Sequence, residues 1–345
     1  MRNLILPFLL ILTLMFSCRS ESEEVLEQKN PSYDVYVAGT EYNKACYWKN
    51  TIKTELSNGD NINTRQIIVE NNNIYITGAL SNNTVNNGIQ YFWKNNMRTE
   101  VKQYLNIPNN AQYNIERFTV SNEDIYFAGY VENPTTTSTL DKFELCFWEN
   151  GVKTVLYKSQ YVPTARSIFV DGSDVYVSAH KVDGIGYFKN TTFSLVTAYY
   201  MHNFAKNSNG IYLLFHKDNK YYSKNLNTNA ETLIGDYIHP IAIWGKIISH
   251  NANNDLYTIE SSYGDSYFKN NSQISPTFSP LPYIQDMFIL DNNVYMIKYN
   301  PNLYPNPSNP NSTYNGKVFI NGVESQNIMS INDQGSFNSI FVIQN

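Results

Sequence analysis

Histidine is the side chain most readily recruited for proton transfer near neutral pH, and this chain of 345 residues carries five. His180, His202, His216 and His250 stand at or near the ends of short apolar runs. No two have metal-ligand spacing, and no carboxylate pairs with them by motif. The residues alone favour isolated histidines, with no metal and no cofactor expected. Asp171-Gly172-Ser173-Asp174 opens like a calcium loop but lacks the later alternating ligands and the closing glutamate, so it reads as a turn. Cys46 and Cys146 recur at one position of a repeat. With a whole repeat between them they cannot meet disulfide geometry, and they read as small buried hydrophobes. There is no WD dipeptide, no double-glycine kelch signature, no Asp box and no glycine-rich phosphate loop. Any chemistry has to be assembled by the fold.

The elements that could assemble it are strands. The chain holds 28 Tyr and 18 Phe with abundant Asn, a composition suited to pleated, half-buried surfaces. A net charge of -5, with Lys and Arg scattered, offers no basic field and excludes nucleic acid as a partner. A motif recurs: Asp34-Val35-Tyr36-Val37-Ala38-Gly39, Ile74-Tyr75-Ile76-Thr77-Gly78, Asp124-Ile125-Tyr126-Phe127-Ala128-Gly129 and Asp174-Val175-Tyr176-Val177-Ser178. It continues around Tyr212, Tyr257 and Tyr295, at spacings typical of a four-stranded propeller blade. An aromatic strand ending in a tight turn follows each copy, as in Cys46-Tyr47-Trp48-Lys49-Asn50 and Tyr187-Phe188-Lys189-Asn190.

A short apolar strand precedes every tyrosine motif except the first. Its missing partner lies at the other end of the chain, where Ser339-Ile340-Phe341-Val342 repeats Ser167-Ile168-Phe169-Val170. Closing a ring of about 300 residues costs on the order of 5 kcal/mol, and burial of four large apolar side chains offsets that at roughly 1.5 to 3 kcal/mol each. The expectation is an all-β, seven-bladed β-propeller of four-stranded antiparallel blades over 33-345, closed by the C-terminal strand. Because the copy around 202-234 is degenerate, six or eight blades are the alternatives. The repeated Asp-Val-Tyr-Val-Ala-Gly and Tyr-Trp-Lys-Asn units resemble those of uncharacterised β-propeller surface lipoproteins of Bacteroidota.

Residues 1-17 carry Arg2 and an apolar run from Leu4 to Phe16, the length of a signal-peptide core. The run stops at Ser17-Cys18, which resembles a bacterial lipobox with bulkier residues than usual at Met15 and Phe16. Residues 18-32 follow as an acidic tether with Glu21, Glu23, Glu24 and Glu27. That stretch resembles the surface-export signal of Bacteroidota lipoproteins. The resemblance implies lipidation at Cys18, with the lipid as the contact to the membrane, and a place on the outer membrane facing outward, the alternative being a periplasm-facing anchored domain; a monomer is expected.

In such a ring the long connections run from Ala79 to Ile89, Tyr130 to Glu144 and Tyr299 to Asn315 within blades. Between blades they run from Gln103 to Glu116, Lys158 to Ala165, Gly235 to Trp244 and Ser275 to Gln285. Both kinds open on one face, the candidate binding face. Its aromatic residues are Tyr104, Tyr113, Tyr130, Tyr161, Tyr237, Trp244, Tyr283, Tyr299 and Tyr304. Aromatic and amide side chains together suit a glycan or a protein surface. The expected function is a non-enzymatic surface binding or scaffold protein. The alternative is a propeller enzyme of polysaccharide lyase or lactonase type, since propeller lyases resemble this chain in using histidines at the channel mouth. Clustered His, Arg and carboxylates at that mouth favour the enzyme; an aromatic-amide surface favours the binder.

Overall fold

The computed structural model describes residues 32–81, 88–133, 135–236, 245–249, 253–260, 265–275, 281, 283–300, 313–331 and 335–345. Residues 34–343 form one compact unit, a ring of seven four-stranded antiparallel sheets and therefore a seven-bladed β-propeller. The signal peptide, Cys18 and nearly all of the tether lie outside the described residues. The first blade takes its innermost strand, Ser336–Gln344, from the C-terminus and pairs it with Tyr33–Glu41. The degenerate copy is a complete fifth blade, from Tyr200–Asn207 outward to Glu231–Asp236.

The two repeated motifs meet in every blade and explain each other. Asn50, Asn95, Asn150, Asn190, Asn270 and Asn321 end the third strands in left-handed turns, with φ between 47° and 56°. Asparagine tolerates that conformation better than most residues. In the third blade the Asn150 Oδ1 accepts the Ile125 N–H at 2.9 Å, and its Nδ2 donates to Asp124 at 2.7 Å. The same latch joins Asn50 to Val35 and Asp34, and Asn190 to Val175 and Asp174. The lysine before the asparagine pairs with the same aspartate, Lys49 with Asp34 and Lys189 with Asp174, both at 2.8 Å. Its ammonium also lies over the motif tyrosine, 5.5 Å from the Tyr36 ring and 5.7 Å from that of Tyr176. In the fifth blade the latch has moved to Asn227, whose Oδ1 accepts the Ile211 N–H, which is why that copy looks degenerate. Asn150→Ala should lower stability by about 1 to 3 kcal/mol, from two lost hydrogen bonds and a strained turn. Asn150→Gly should recover only the turn component, a difference readable by thermal unfolding of the two variants.

The cores lie between adjacent blades. Phe92 of the second packs on Phe127 of the third at 5.6 Å, and Phe288 of the seventh on Phe341 of the first at 4.8 Å. Cys46 and Cys146 are free, buried third-strand residues, and burial pushes both thiols up to about 12.

Candidate functional site

The innermost strands surround a central channel of about 1140 Å³. Each starts on the face that carries the long connections. Five of them hold a register shift near that start: Thr64/Gln66, Ile115/Arg117, Ala165/Ser167, Met201/Phe204 and Ile284/Asp286. A bulge leaves one residue out of the ladder and re-aims its side chain. The residues stepped over are Arg65, Glu116, Arg166, His202 with Asn203, and Gln285, and all of them line the channel. Opposite one bulge stands the glycine that closes a tyrosine motif: a Cβ on Gly129 would come within 2.1 Å of the Asn114 carbonyl oxygen.

The bulged residues and those beside them do two different jobs. One set laces neighbouring blades together at five of the seven junctions. The Arg117 Nε donates to the Arg166 carbonyl. Asn203 accepts the Ile247 N–H at 2.7 Å and donates to the Ile247 carbonyl at 3.0 Å. Lys246 pairs with Asp286 at 2.6 Å, Asp286 accepts the Ile340 N–H at 3.0 Å, and Ser339 accepts the Ile67 N–H at 3.4 Å. These bonds satisfy backbone groups on the inner edge of each sheet, where no further strand can pair.

The other set forms a cluster at the mouth. His202 is buried, and its Nδ1 accepts the Gly245 N–H at 2.9 Å. The proton of the neutral ring is thereby placed on Nε2, which donates to His216 Nδ1 at 3.1 Å. Gly245 permits this approach, because a Cβ there would stand 3.2 Å from the His202 ring. Tyr200 stacks on His216, with centroids 5.7 Å apart, and meets the edge of His180 at 5.2 Å. The Arg166 guanidinium lies 4.5 Å from the centre of the Tyr200 ring.

Burial and positive charge set the electrostatics. Burial, with Arg166 and His216 adding, pushes His180 down to about 4. Burial and His216 hold His202 well below the usual histidine range, and burial lowers His216. Burial pushes the Glu116 carboxyl up to about 7 against the pull of Arg117, and the Glu116 Oε2 accepts the Ala165 N–H at 2.6 Å. Burial brings Arg117 down to about 10, opposed by Glu116 and assisted by Arg166 and Arg65. His180 Nε2, Arg166 Nε and the Tyr200 hydroxyl are buried without a hydrogen-bond partner among the described residues. Among the described residues no group of three His, Cys, Asp or Glu is placed to hold a metal.

The structure thus brings His180, His202 and His216 together, where their sequence contexts favoured isolation. His250, Tyr237, Trp244 and Tyr304 lie outside the described residues. The remaining aromatic candidates are mostly packed rather than displayed. Tyr130 and Tyr299 are 8 % and 4 % exposed, with Tyr130 edge-on to Phe143 at 5.8 Å and Tyr299 against Tyr283 at 5.9 Å. Tyr104 and Tyr113 pack on the core between the second and third blades, while Tyr161 is exposed. The physical reason is strand length. Asp124–Glu132, Asn293–Tyr299, Tyr113–Ser121 and Tyr283–Leu290 extend past the expected boundaries, so their tyrosines alternate into the sheets. The residues that sequence reasoning missed are Arg65, Glu116, Arg117, Arg166, Lys246 and Asp286. Aligning the innermost strands on their apolar runs shows the signal, a polar pair just before six of the seven runs: Arg65-Gln66, Glu116-Arg117, Arg166-Ser167, His202-Asn203, Gln285-Asp286 and Asn338-Ser339.

Fold and channel define a seven-bladed β-propeller with a cationic, histidine-bearing mouth. No family model matches the chain, and no curated protein does. Among solved structures it is similar to a protein of unknown function from Bacteroides caccae, at 10% identity and a TM-score of 0.44, over 91% of this chain and 99% of that one. It is also similar to the extracellular domain of a hybrid two component system from B. thetaiotaomicron, at 10% identity and a TM-score of 0.45, over 77% of this chain and 37% of that one. A third is apo AztD from Citrobacter koseri, at 8% identity and a TM-score of 0.45, over 91% and 98% of the two chains. At such identities the function has to be argued from the site.

Proposed function

We propose that this chain is a surface-anchored binding propeller that takes its ligand at the channel mouth on the long-connection face. The observation that carries the reading is Arg166 and Tyr200 on the wall of one channel, with His180 edge-on to Tyr200 and with His180 Nε2, Arg166 Nε and the Tyr200 hydroxyl buried without a hydrogen-bond partner among the described residues. Buried polar groups without partners are costly, and a ligand that supplies partners recovers that cost. A recess of this size suits a saccharide or small molecule better than a flat protein surface, which needs roughly 800 Å² per partner. Glycan screening with residues 33–345 should yield a ligand whose affinity falls about tenfold or more in Arg166→Ala and His180→Ala, each losing a partner worth about 1.5 kcal/mol or more. Tyr161→Ala should bind normally. Binding that survives both mouth substitutions but is lost in Tyr161→Ala moves the site to the outer loops. The anchor part of the reading rests on the lipobox resemblance, and Cys18→Ala should shift the protein from the membrane to the soluble fraction.

A second reading is catalytic. His180 is held neutral next to Tyr200 and Arg166, a base, a proton donor and a cation within one cluster. It requires that a ligand found by screening be converted to product, with conversion abolished in His180→Ala. A ligand recovered intact after long incubation excludes it.

A further inference from the structure

We infer that the ligand of this mouth carries an oxyanion, a carboxylate or sulfate on a saccharide or small molecule, received between Arg65 and Arg166. This rests on the mouth being the binding site and specifies what it binds. Three guanidinium groups, Arg65, Arg117 and Arg166, come from neighbouring bulges of the second, third and fourth blades and lie close enough that the other two destabilise the charge of Arg117. Lys246 is neutralised by Asp286. Glu116 is the one carboxylate among the arginines for which a contact is described, and it is engaged with the Ala165 N–H. A chain with a net charge of -5 therefore gathers an excess of positive charge in one recess.

The arginines are not equivalent. The Arg117 Nε and Nη1 are spent on the Arg166 and Glu116 carbonyls, which makes it a lacing residue. Among the described residues no hydrogen bond or ion pair of the Arg65 side chain is found; Arg65 lines the channel and is exposed, although protein surrounds it closely enough for burial to lower its pKa. Arg166 lines the channel with its guanidinium carbon 4.5 Å from the centre of the Tyr200 ring, and its Nε is buried without a partner among the described residues. A planar guanidinium with free N–H groups matches two oxygens of one anion. Tyr200 adds a neutral group at the same wall, with His180 packed edge-on against it.

Like charges held together in the fold without an anion cost stability, so the arginines should be a burden to the unliganded protein. The test is thermal unfolding of the whole propeller in sodium malonate or sodium sulfate against sodium chloride of equal ionic strength. The expected result is a rise of about 2 to 4 °C at ten times the dissociation constant with either anion. Arg65→Gln and Arg166→Gln should each melt higher than the unchanged protein in chloride and lose the anion increment. A larger increment with malonate points to a carboxylate, and with sulfate to a sulfate ester. No increment above chloride, an increment kept in both variants, or variants that melt lower in chloride would overturn the inference. A neutral saccharide whose binding is lost in His180→Ala, while malonate and sulfate do nothing, would overturn the anion and leave the mouth as the site.

Discussion

Removal of Ser336–Asn345 should prevent the ring from holding and leave a protein that associates through an open edge. The last strand is gripped from three sides. Phe337 meets Trp48 of its own blade at 4.9 Å, Phe341 packs on Phe288 of the seventh blade, and Asn338 donates to the Thr64 carbonyl of the second at 2.9 Å. Phe337, Ile340 and Val342 are at most 2 % exposed. Their burial is worth roughly 1.5 to 3 kcal/mol each, an upper estimate. That total, about 5 to 9 kcal/mol, rivals the whole stability of a typical domain. The uncovered edge of Tyr33–Glu41 would then be free to pair with another chain. Size-exclusion chromatography and thermal unfolding report both effects, and a synthetic peptide of residues 336–345 should restore the monomer. A truncated chain that stays monomeric and melts with the intact one would mean the strand does not close the ring.

Acid should unfold this protein through its histidines, well before its surface carboxylates are protonated. His180 is pushed down to about 4 and His202 is held well below the usual range, against 6.5 in an unfolded chain. A base whose pKa is depressed by folding stabilises the fold fully above its unfolded value, and that contribution is lost as pH falls through the window between the two. For His180 the loss between pH 6.5 and 4 is at most about 3 kcal/mol, nearer 2 because the ring is partly exposed. His202 and His216 add to it. Glu116 works in the opposite sense: with its pKa raised to about 7, it favours the fold as pH drops from 7 towards its unfolded range. Three histidines outweigh one glutamate, so stability should be greatest from about pH 7 upwards and decline steadily to pH 4.5. His180→Asn should flatten that decline, and Glu116→Gln should steepen it slightly. A melting temperature constant from pH 7 to pH 4.5 would contradict this account.

The blades were legible because each must close the same hairpin with the same latch. Asp124 and Asn150 are far apart in sequence yet recur together, and the hydrogen bonds between them are the reason. Ring closure was legible for a similar reason, since an innermost strand has to satisfy its neighbours on both sides and Ser339-Ile340-Phe341-Val342 is written in the same letters as Ser167-Ile168-Phe169-Val170. The site was not legible, because a bulge breaks the alternation by which a strand is recognised. Arg65-Gln66 and Glu116-Arg117 therefore look like the ends of loops. The same blind spot placed Tyr113, Tyr130, Tyr283 and Tyr299 outside the sheets: the motif stops at its glycine or an equivalent residue, while the ladder continues beyond it.

A bulge at one level of the inner strand also separates two inheritances. The apolar residues beyond it, such as Ile67, Phe118 and Ile168, are held by the packing between blades, and changes there are felt throughout the ring. Some of the polar residues beside it, such as Glu116, His202 and Asn203, are tied to a neighbouring blade, while others, such as Arg65 and Gln285, line the channel from a backbone already released from its ladder. The second kind can drift, blade by blade, with less demand on the scaffold. A binder redesigned on this frame would begin with Arg65 and Gln285, recoding the rim while leaving the wheel that carries it unaltered.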